Sequence, residues 1–163
     1  MERSKLPFRK NCEGYFFNKD GKLLAKKSEQ GFVIFPGGGI DESETVENGM
    51  IRETLEETGA VIVNLKTLGS ANLVWGPNWA QTEKQKKRYE QFQGDEMHFF
   101  SGEVKEFVKH QAEEDTWGED KFMSVAEVLH SIKERLDADR NNEYVQTQFK
   151  FLTKLKEMNK YRA

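Results

Sequence analysis

Three glutamates near the middle of the chain have the spacing of a chemical site. Glu53, Glu56 and Glu57 stand at positions i, i+3 and i+4, so a helix would bring them to one face. Three like charges on one face repel each other, and a cation placed there would stabilise them. Hard divalent cations such as Mg²⁺ bind carboxylate oxygens and keep coordination positions open for phosphate oxygens. The spacing therefore predicts a site for a divalent cation whose open coordination positions could be taken by phosphate oxygens.

The residues around these glutamates predict a helix with defined ends. Acidic residues crowd its start, where the helix dipole favours negative charge, and Ser43 is the predicted N-cap. Gly59 stands where a left-handed C-terminal cap is expected. Gly49 lies on the predicted face of Glu53 and Glu56, either as a tolerated helix glycine or as a gap with room for an ion or a phosphate. A neighbouring arc is predicted to pack on a sheet, and it comprises Met50, Ile51, Thr54, Leu55 and Thr58.

The stretch Gly38–Ala60 carries a longer pattern of fixed residues. The pattern is Gly, five residues, Glu, seven residues and then Arg-Glu-U-x-Glu-Glu-x-Gly-U, in which U is apolar. Its fixed positions are filled by Gly38, Glu44, Arg52, Glu53, Glu56, Glu57 and Gly59. This pattern resembles the signature of the Nudix hydrolases, although Thr54 and Ala60 are weak matches to its apolar positions. The alternative, a solvated acidic helix, explains neither the fixed spacing nor the flanking glycines.

The resemblance implies roles for individual residues. Glu53, Glu56 and Glu57 are expected to bind Mg²⁺, with Mn²⁺ as the alternative ion, and Glu53 is also a frequent general base in the family. Arg52 completes the expected catalytic set, either by bracing the loop against the helix through Glu44 or by contacting phosphate. The preceding loop is expected to contact the phosphates of the substrate through its glycines, which are Gly37, Gly38 and Gly39.

A further metal ligand is expected from the stretch 111–121. In the family, a loop at about this point often brings another carboxylate to the metal site. The candidates are Glu113, Glu114 and Glu119, of which Glu114 and Glu119 are the predicted ligands. The alternative is that most of them are ordinary loop charges.

The stretch 76–95 combines cationic and aromatic side chains. Lys84, Lys86, Lys87 and Arg88 lie among tryptophan, tyrosine and phenylalanine residues. Cations suit phosphates and aromatic rings suit a base, so this stretch is a candidate lid over a nucleotide, with Lys87 and Arg88 as substrate contacts. The other interpretation is a solvated helical excursion whose aromatic residues pack inward.

Composition describes an ordinary single domain spanning residues 1–163. Charged residues make up 33% of the chain, hydrophobic residues 36%, and the net charge is −3. This balance argues against bulk nucleic-acid binding, and no apolar run has the length of a membrane span. The N-terminus lacks the apolar core of a signal peptide. Cys12 is the only cysteine, which suits a reducing cytoplasm, and we expect it to be a small residue in a strand.

Hydrophobic patterning predicts strands that alternate with helices, which is an α/β fold. Beside the central helix, later helices are expected over 125–136 and 143–158. The resemblance implies the Nudix fold, a mixed β-sheet sandwiched between α-helices. The predicted strands span 11–18, 22–27, 61–68, 71–75, 97–107 and 122–123, with a turn at 18–21, and 31–35 leads into Pro36 and the glycines.

The expected function is Mg²⁺-dependent hydrolysis of a diphosphate linkage in a nucleoside diphosphate joined to another group, X. Metal ions would neutralise phosphate oxygens and orient a bound water, from which one carboxylate takes the proton. The expected partner is a small nucleotide, bound by a monomer or homodimer that does not associate with membranes. One alternative is a hydrolase of RNA 5′ ends held by the basic residues 84–88. The other is a non-catalytic, regulatory nucleotide-binding module.

Overall fold

The fold is built on a six-stranded main sheet with helices on both faces. The computed structural model describes residues 2–108, 117 and 121–159. After a short 3₁₀ helix at Arg3–Lys5, the elements in chain order are β1 (Phe8–Phe17), β2 (Leu23–Leu24), β3 (Lys26–Lys27), β4 (Val33–Ile34), β5 (Gly37–Gly39), α1 (Val46–Thr58), β6 (Ala60–Val74), α2 (Glu83–Gln91), β7 (Gly94–Phe107), β8 (Phe122–Met123), α3 (Val125–Ala138) and α4 (Glu143–Asn159).

The main sheet is mixed, as predicted. Its strand order is β6-β7-β1-β2-β8, and β5 pairs with β1 outside this path. Strand β1 runs parallel to β7 along its whole length, whereas its pairings with β2 and β5 are antiparallel. The β1–β5 pairing places Asn11 opposite Gly39 and Glu13 opposite Gly37, so the glycine-rich loop is fixed against the central strand.

Alternate residues of β1 pack on opposite faces of the sheet, as the two-residue period of a strand requires. Tyr15 joins an apolar cluster with residues of α3 and α4, whereas Phe16 joins a second cluster with Met50 of α1. The sheet is therefore sandwiched between helices, which confirms the predicted fold class. Among the described residues, no helix is both long enough and apolar enough to cross a membrane.

Strand β1 also carries a buried carboxylate, Glu13, which is 5% exposed. It accepts hydrogen bonds from the Tyr15 hydroxyl at 2.7 Å, from Gln148 Nε2 at 3.0 Å and from the Tyr144 hydroxyl. Burial raises the pKa of Glu13, and the three hydrogen bonds oppose that rise. Because a buried charge is tolerated only when it is hydrogen-bonded, this network fixes α4 against the sheet.

Several predicted boundaries were wrong. Strands β1 and β7 each begin three residues earlier than expected. The strands expected at 61–68 and 71–75 are one strand, β6, which continues past Gly69 because register shifts absorb the irregularity without ending its pairing with β7. The strand expected at 22–27 is divided, since β2 belongs to the main sheet and β3 pairs with β4 in a separate two-stranded sheet. Helix α3 continues two residues into the polar break that was expected from residue 137. The turn at 18–21 is confirmed, with Gly21 at φ 77°.

Candidate active site

Helix α1 begins at a different cap from the one predicted. The side chain of Thr45 accepts a hydrogen bond of 3.1 Å from the backbone N–H of Asn48, so Thr45 is the N-cap. The prediction of Ser43 was wrong because that residue lies in a turn that precedes the helix. Gly59 ends the helix at φ 78°, and its left-handed conformation is confirmed.

One side of α1 packs on the sheet and leaves the acidic side free. Met50, Thr54 and Thr58 are buried, and the two threonine hydroxyls donate to carbonyls one turn earlier at 2.8 Å and 2.7 Å. Leu55 is partly buried, whereas Ile51 is 37% exposed. Three of the five residues predicted to face the sheet are therefore fully buried there.

Gly49 makes room for the loop that precedes α1. A Cβ at this position would lie 2.5 Å from Ile40 Cδ1 and 3.0 Å from Glu44 Oε1. The missing side chain therefore allows the loop to approach the helix closely. The alternative expectation, a gap left for an ion or a phosphate, was wrong because Ile40 and Glu44 fill that space.

Arg52 lies at the centre of the acidic side. Its guanidinium binds Glu44 through Nη2 at 2.6 Å and through Nε at 3.0 Å, and Nη2 also donates to the carbonyl of Gly39 at 3.1 Å. Its Nη1 lies 3.2 Å from Glu53 Oε1 and 3.1 Å from Glu56 Oε2. The structure thus shows the expected bracing of loop against helix, and Arg52 lowers the pKa of Glu44 to about 2.

Glu53 and Glu57 are partly buried between α1 and the glycine-rich loop. The side chain of Glu53 is 17% exposed, and burial raises its pKa against the opposing charge of Arg52. Burial raises the pKa of Glu57 to about 7, although hydrogen bonds from the Gly37 N–H, at 3.1 Å, and from Trp117 lower it. Burial beside like charges disfavours ionised carboxylates, and an added cation would reverse that effect.

The donor set has the chemistry of a magnesium site without a preformed cage. Among the described residues, no three carboxylate, histidine or cysteine side chains converge as ligands. Arg52 lies between Glu53 and Glu56, and Glu57 is engaged with the loop backbone. Three carboxylates on one side of a helix nevertheless supply the oxygen ligands that Mg²⁺ and Mn²⁺ prefer. The remaining candidates lie outside the described residues, and they are Glu113, Glu114 and Glu119.

Two glycines of β5 allow close approaches on which the site depends. A Cβ at Gly38 would lie 2.5 Å from the carboxyl carbon of Glu53, and a Cβ at Gly37 would lie 2.1 Å from the carbonyl oxygen of Cys12. The loop therefore contacts both the acidic side of α1 and the central strand. Cys12 is a buried strand residue, as expected, and burial raises its pKa to about 12.

The second candidate stretch contains a helix, α2. It begins at a capping box between Thr82 and Gln85, and none of its residues is buried. Lys87 is exposed, whereas Arg88 is partly buried. Before the helix, the rings of Trp75 and Trp79 are stacked in parallel at 3.7 Å. The structure therefore brings only one of the two predicted contacts, Arg88, close to the body of the protein.

Arg9 lies beside the site and was not predicted from the sequence. A Cβ at Gly39 would lie 2.1 Å from Arg9 Nη2, so the guanidinium lies against the third loop glycine. The charges of Glu53 and Arg88 are both close enough to affect the pKa of Arg9. Arg9 precedes the fixed pattern by almost thirty positions, and only the pairing of β1 with β5 brings it there. The sequence contained no signal for it.

The NUDIX domain family model matches residues 9–147, which is most of the chain. The chain belongs to the Nudix family. A solved Nudix hydrolase from Nitrosomonas europaea has a similar fold, with a TM-score of 0.55 and 18% identity over 86% of this chain and 84% of that one.

Curated Nudix relatives match over shorter stretches. An RNA pyrophosphohydrolase of Aeromonas hydrophila is 45% identical over 53 residues, which are 32% of this chain and 30% of the relative. A putative 8-oxo-dGTP diphosphatase of Bacillus subtilis is 43% identical over 49 residues, which are 30% of this chain and 31% of the relative. The chain thus aligns with about a third of the length of each.

The Nudix signature corresponds to one continuous structural unit in this chain. It begins in β5, crosses the loop and α1, and ends at the first residue of β6. The residues that carry the Nudix resemblance therefore lie on one helix and the segment that leads into it.

Proposed function

We propose that this Nudix chain hydrolyses a diphosphate linkage in a nucleoside diphosphate joined to another group, X, and that it requires Mg²⁺. The observation that carries the proposal is the partly buried pair Glu53 and Glu57. Their carboxylates lie against the glycine-rich loop at Gly38 and Gly37 respectively, and Arg52 orders the acidic side of the helix around them. A phosphate bound on this loop would lie next to both carboxylates.

Glu53, Glu56 and Glu57 are the residues that we propose to hold the ion, and Mn²⁺ is the alternative metal. A bound ion would neutralise the charge on phosphate oxygens and would lower the pKa of a water molecule bound to it. Glu114 and Glu119 are proposed as additional ligands, in keeping with the family resemblance.

Glu53 is our proposed general base. Its Oε1 accepts from Arg52, whereas no hydrogen bond to its Oε2 is present in the described part of the chain. That oxygen is free to accept a proton from the attacking water, and the raised pKa of Glu53 favours the transfer. Arg52 acts as a positioning residue, because it holds the carboxylates of Glu53 and Glu56 and the carbonyl of Gly39 in one arrangement.

The names of the relatives support a nucleotide substrate with several phosphates. One relative is named for RNA and another for an oxidised nucleoside triphosphate, and both substrates carry a phosphate chain on a nucleoside. We therefore place the substrate in this class and leave X to the screen below. We also propose that the protein acts in the cytoplasm, because its single cysteine is a buried free thiol. We propose a monomer or homodimer from the family resemblance alone.

Hydrolysis of RNA 5′ ends is the second candidate. It is supported by the relatives named RNA pyrophosphohydrolase and by the exposed cationic side of α2. Lys84, Lys86 and Lys87 are exposed there and would contact a phosphate backbone. If RNA is the substrate, binding of a 5′-triphosphorylated oligonucleotide weakens steeply with salt, and neutralising these lysines reduces that dependence. A weak salt dependence that the lysines do not affect would exclude it.

The test is a turnover screen in the presence and absence of Mg²⁺. The panel comprises canonical and oxidised nucleoside triphosphates, ADP-ribose, dinucleoside polyphosphates, nucleotide sugars and triphosphorylated RNA, with products resolved by mass. We expect one preferred substrate that the Glu57→Gln variant does not hydrolyse. Glu47→Gln, which neutralises an exposed glutamate in the first turn of the same helix, is the matched control. Tight nucleotide binding without turnover would favour the regulatory module instead.

A further inference from the structure

We propose that Arg9 and Arg88 together bind a phosphate of the substrate, next to the carboxylates of α1. Neither the family signature nor the spacing of the glutamates includes Arg9. The inference rests on the proposed function, because it assigns part of the same substrate to residues outside the signature.

The position of Arg9 is fixed by the sheet. It lies near the start of β1, opposite Asp95 of β7 in the parallel pairing. Its guanidinium lies against the backbone of Gly39, where a Cβ would be 2.1 Å from Nη2 and 2.9 Å from Cζ. On its other side, Gly39 accepts a hydrogen bond from Arg52 through its carbonyl. Arg9 therefore touches the loop that we expect to contact phosphate.

Arg88 is brought to the same edge by the docking of α2. The Arg3 guanidinium lies over the ring of Tyr89 at 3.3 Å and donates to the carbonyl of Phe92 at 3.0 Å. The N–H of Gln93 donates to the carbonyl of Pro7 at 3.0 Å. These contacts hold the last turn of α2 against the segment that leads into β1, so Arg88 is positioned by the fold.

Both guanidiniums lack a hydrogen-bond acceptor within the described residues, although the charges of Asp95 and Glu53 also act on Arg9. Asp95 accepts from Asn11 at 3.4 Å and from Trp75 at 3.0 Å. Glu53 Oε1 accepts from Arg52. Burial, and next the charge of Arg88, lower the pKa of Arg9. Two neighbouring cations that are short of acceptors form a site for an anion.

Phosphate is the anion that fits. A guanidinium presents a planar fork of donors that matches phosphate oxygens, and charge-assisted bonds of this kind are about twice as strong as neutral ones. The site adjoins the carboxylates that we propose for the metal, so one phosphate chain would contact both. A free nucleoside triphosphate and a triphosphorylated RNA 5′ end share this chemistry.

The test compares binding and turnover in four single variants and in the double variant Arg9→Gln/Arg88→Gln. Arg9→Gln and Arg88→Gln each remove one guanidinium, and Arg9→Lys keeps the charge without the planar fork of donors. Arg140→Gln, which removes an exposed guanidinium in the turn between α3 and α4, is the matched control. Binding of a methylene-bridged, non-hydrolysable nucleoside triphosphate is measured by calorimetry with Mg²⁺, and KM and kcat are measured separately. Thermal melts show whether each variant is folded.

We expect each glutamine variant at an arginine to raise both Kd and KM on the order of tenfold, with little change in kcat. Arg9→Lys should recover part of the lost affinity, and Arg140→Gln should resemble the wild type. The loss of affinity in the double variant should be smaller than the product of the losses in the two single variants, because both arginines bind one phosphate. With triphosphorylated RNA, an additional effect of Lys87→Gln would identify a strand that continues across α2.

Two results would overturn the inference in different ways. If the wild type binds and hydrolyses a polyphosphate while Arg9→Gln and Arg88→Gln match Arg140→Gln, the two arginines do not form the site and the proposed function stands. If the wild type neither binds nor hydrolyses any polyphosphate, the proposed function fails and the inference fails with it.

Discussion

The ion pair between Arg52 and Glu44 gives the most quantitative prediction, because Glu44→Gln keeps the shape of the side chain and removes its charge. Glu44 accepts from Nε and Nη2 of Arg52 and from the N–H of Asp41. The glutamine amide has one carbonyl oxygen, so it cannot accept from Nε and Nη2 of Arg52 through two oxygens as the carboxylate does. The variant should therefore lower the free energy of unfolding at neutral pH.

The size of the effect follows from the pKa of Glu44. Its pKa falls from 4.5 to about 2, which would correspond to roughly 3 kcal/mol at about 1.4 kcal/mol per pKa unit. The side chains of Arg52 and Glu44 are 29% and 16% exposed, so solvent screening reduces the expected loss to about 2 kcal/mol. Because folding lowers the pKa of Glu44, the ion pair adds to the free energy of unfolding in full above pH 4.5. This contribution disappears as the pH falls towards 2.

Urea unfolding at pH 7 and pH 3 measures this dependence. Glu44→Gln should be about 2 kcal/mol less stable than the wild type at pH 7, and less than half of that difference should remain at pH 3. Glu47→Gln neutralises an exposed glutamate in the same region and should change stability by only about 0.5 kcal/mol. Equal differences at the two pH values would refute the electrostatic origin of the effect, and no difference at pH 7 would refute the bracing role.

Two further substitutions test the local geometry. Thr45→Ala should reduce the free energy of unfolding by about 1 kcal/mol, because it removes the N-cap of α1, whereas Ser43→Ala should leave that free energy unchanged. Chemical denaturation measures both variants. A larger loss of stability in Ser43→Ala than in Thr45→Ala would contradict the assigned cap. Gly38→Ala should reduce kcat on the order of a hundredfold, because the new Cβ would lie only 2.5 Å from the carboxyl carbon of Glu53 and would displace that side chain. Gly76→Ala is the control and should keep full turnover, because its Cβ would meet nothing within 4 Å. Equal activities of the two variants would show that Glu53 need not hold this position.

Much of the fold could be predicted because its signals are local. The left-handed glycine at the end of α1, the turn before β2, and the periodic apolar residues of α3 and α4 all act within a few positions of themselves. The single strand β6 could not be predicted, since Gly69 resembles a strand end until its pairing with β7 is known. The division of the 22–27 stretch likewise depends on which partner strand each half meets.

The candidate site shows the same division between local and long-range information. The spacing of Glu53, Glu56 and Glu57 follows from helix geometry alone, and the partner of Arg52 follows from the resemblance. The role of Gly49 was misjudged because its close neighbour Ile40 lies in a loop whose path the sequence does not specify. Arg9 reaches the site only through the pairing of two strands that are distant in sequence.

The central claim is that the carboxylates of α1 hold a divalent cation, and Mn²⁺ binding followed by electron paramagnetic resonance tests it most directly. Glu57→Gln keeps an oxygen that can accept from the Gly37 N–H, so the loop contact can survive while the negative charge is lost. We expect the wild type and Glu47→Gln to bind Mn²⁺, and we expect Glu57→Gln to lose Mn²⁺ affinity on the order of tenfold or more. Equal Mn²⁺ affinity in all three proteins would contradict it.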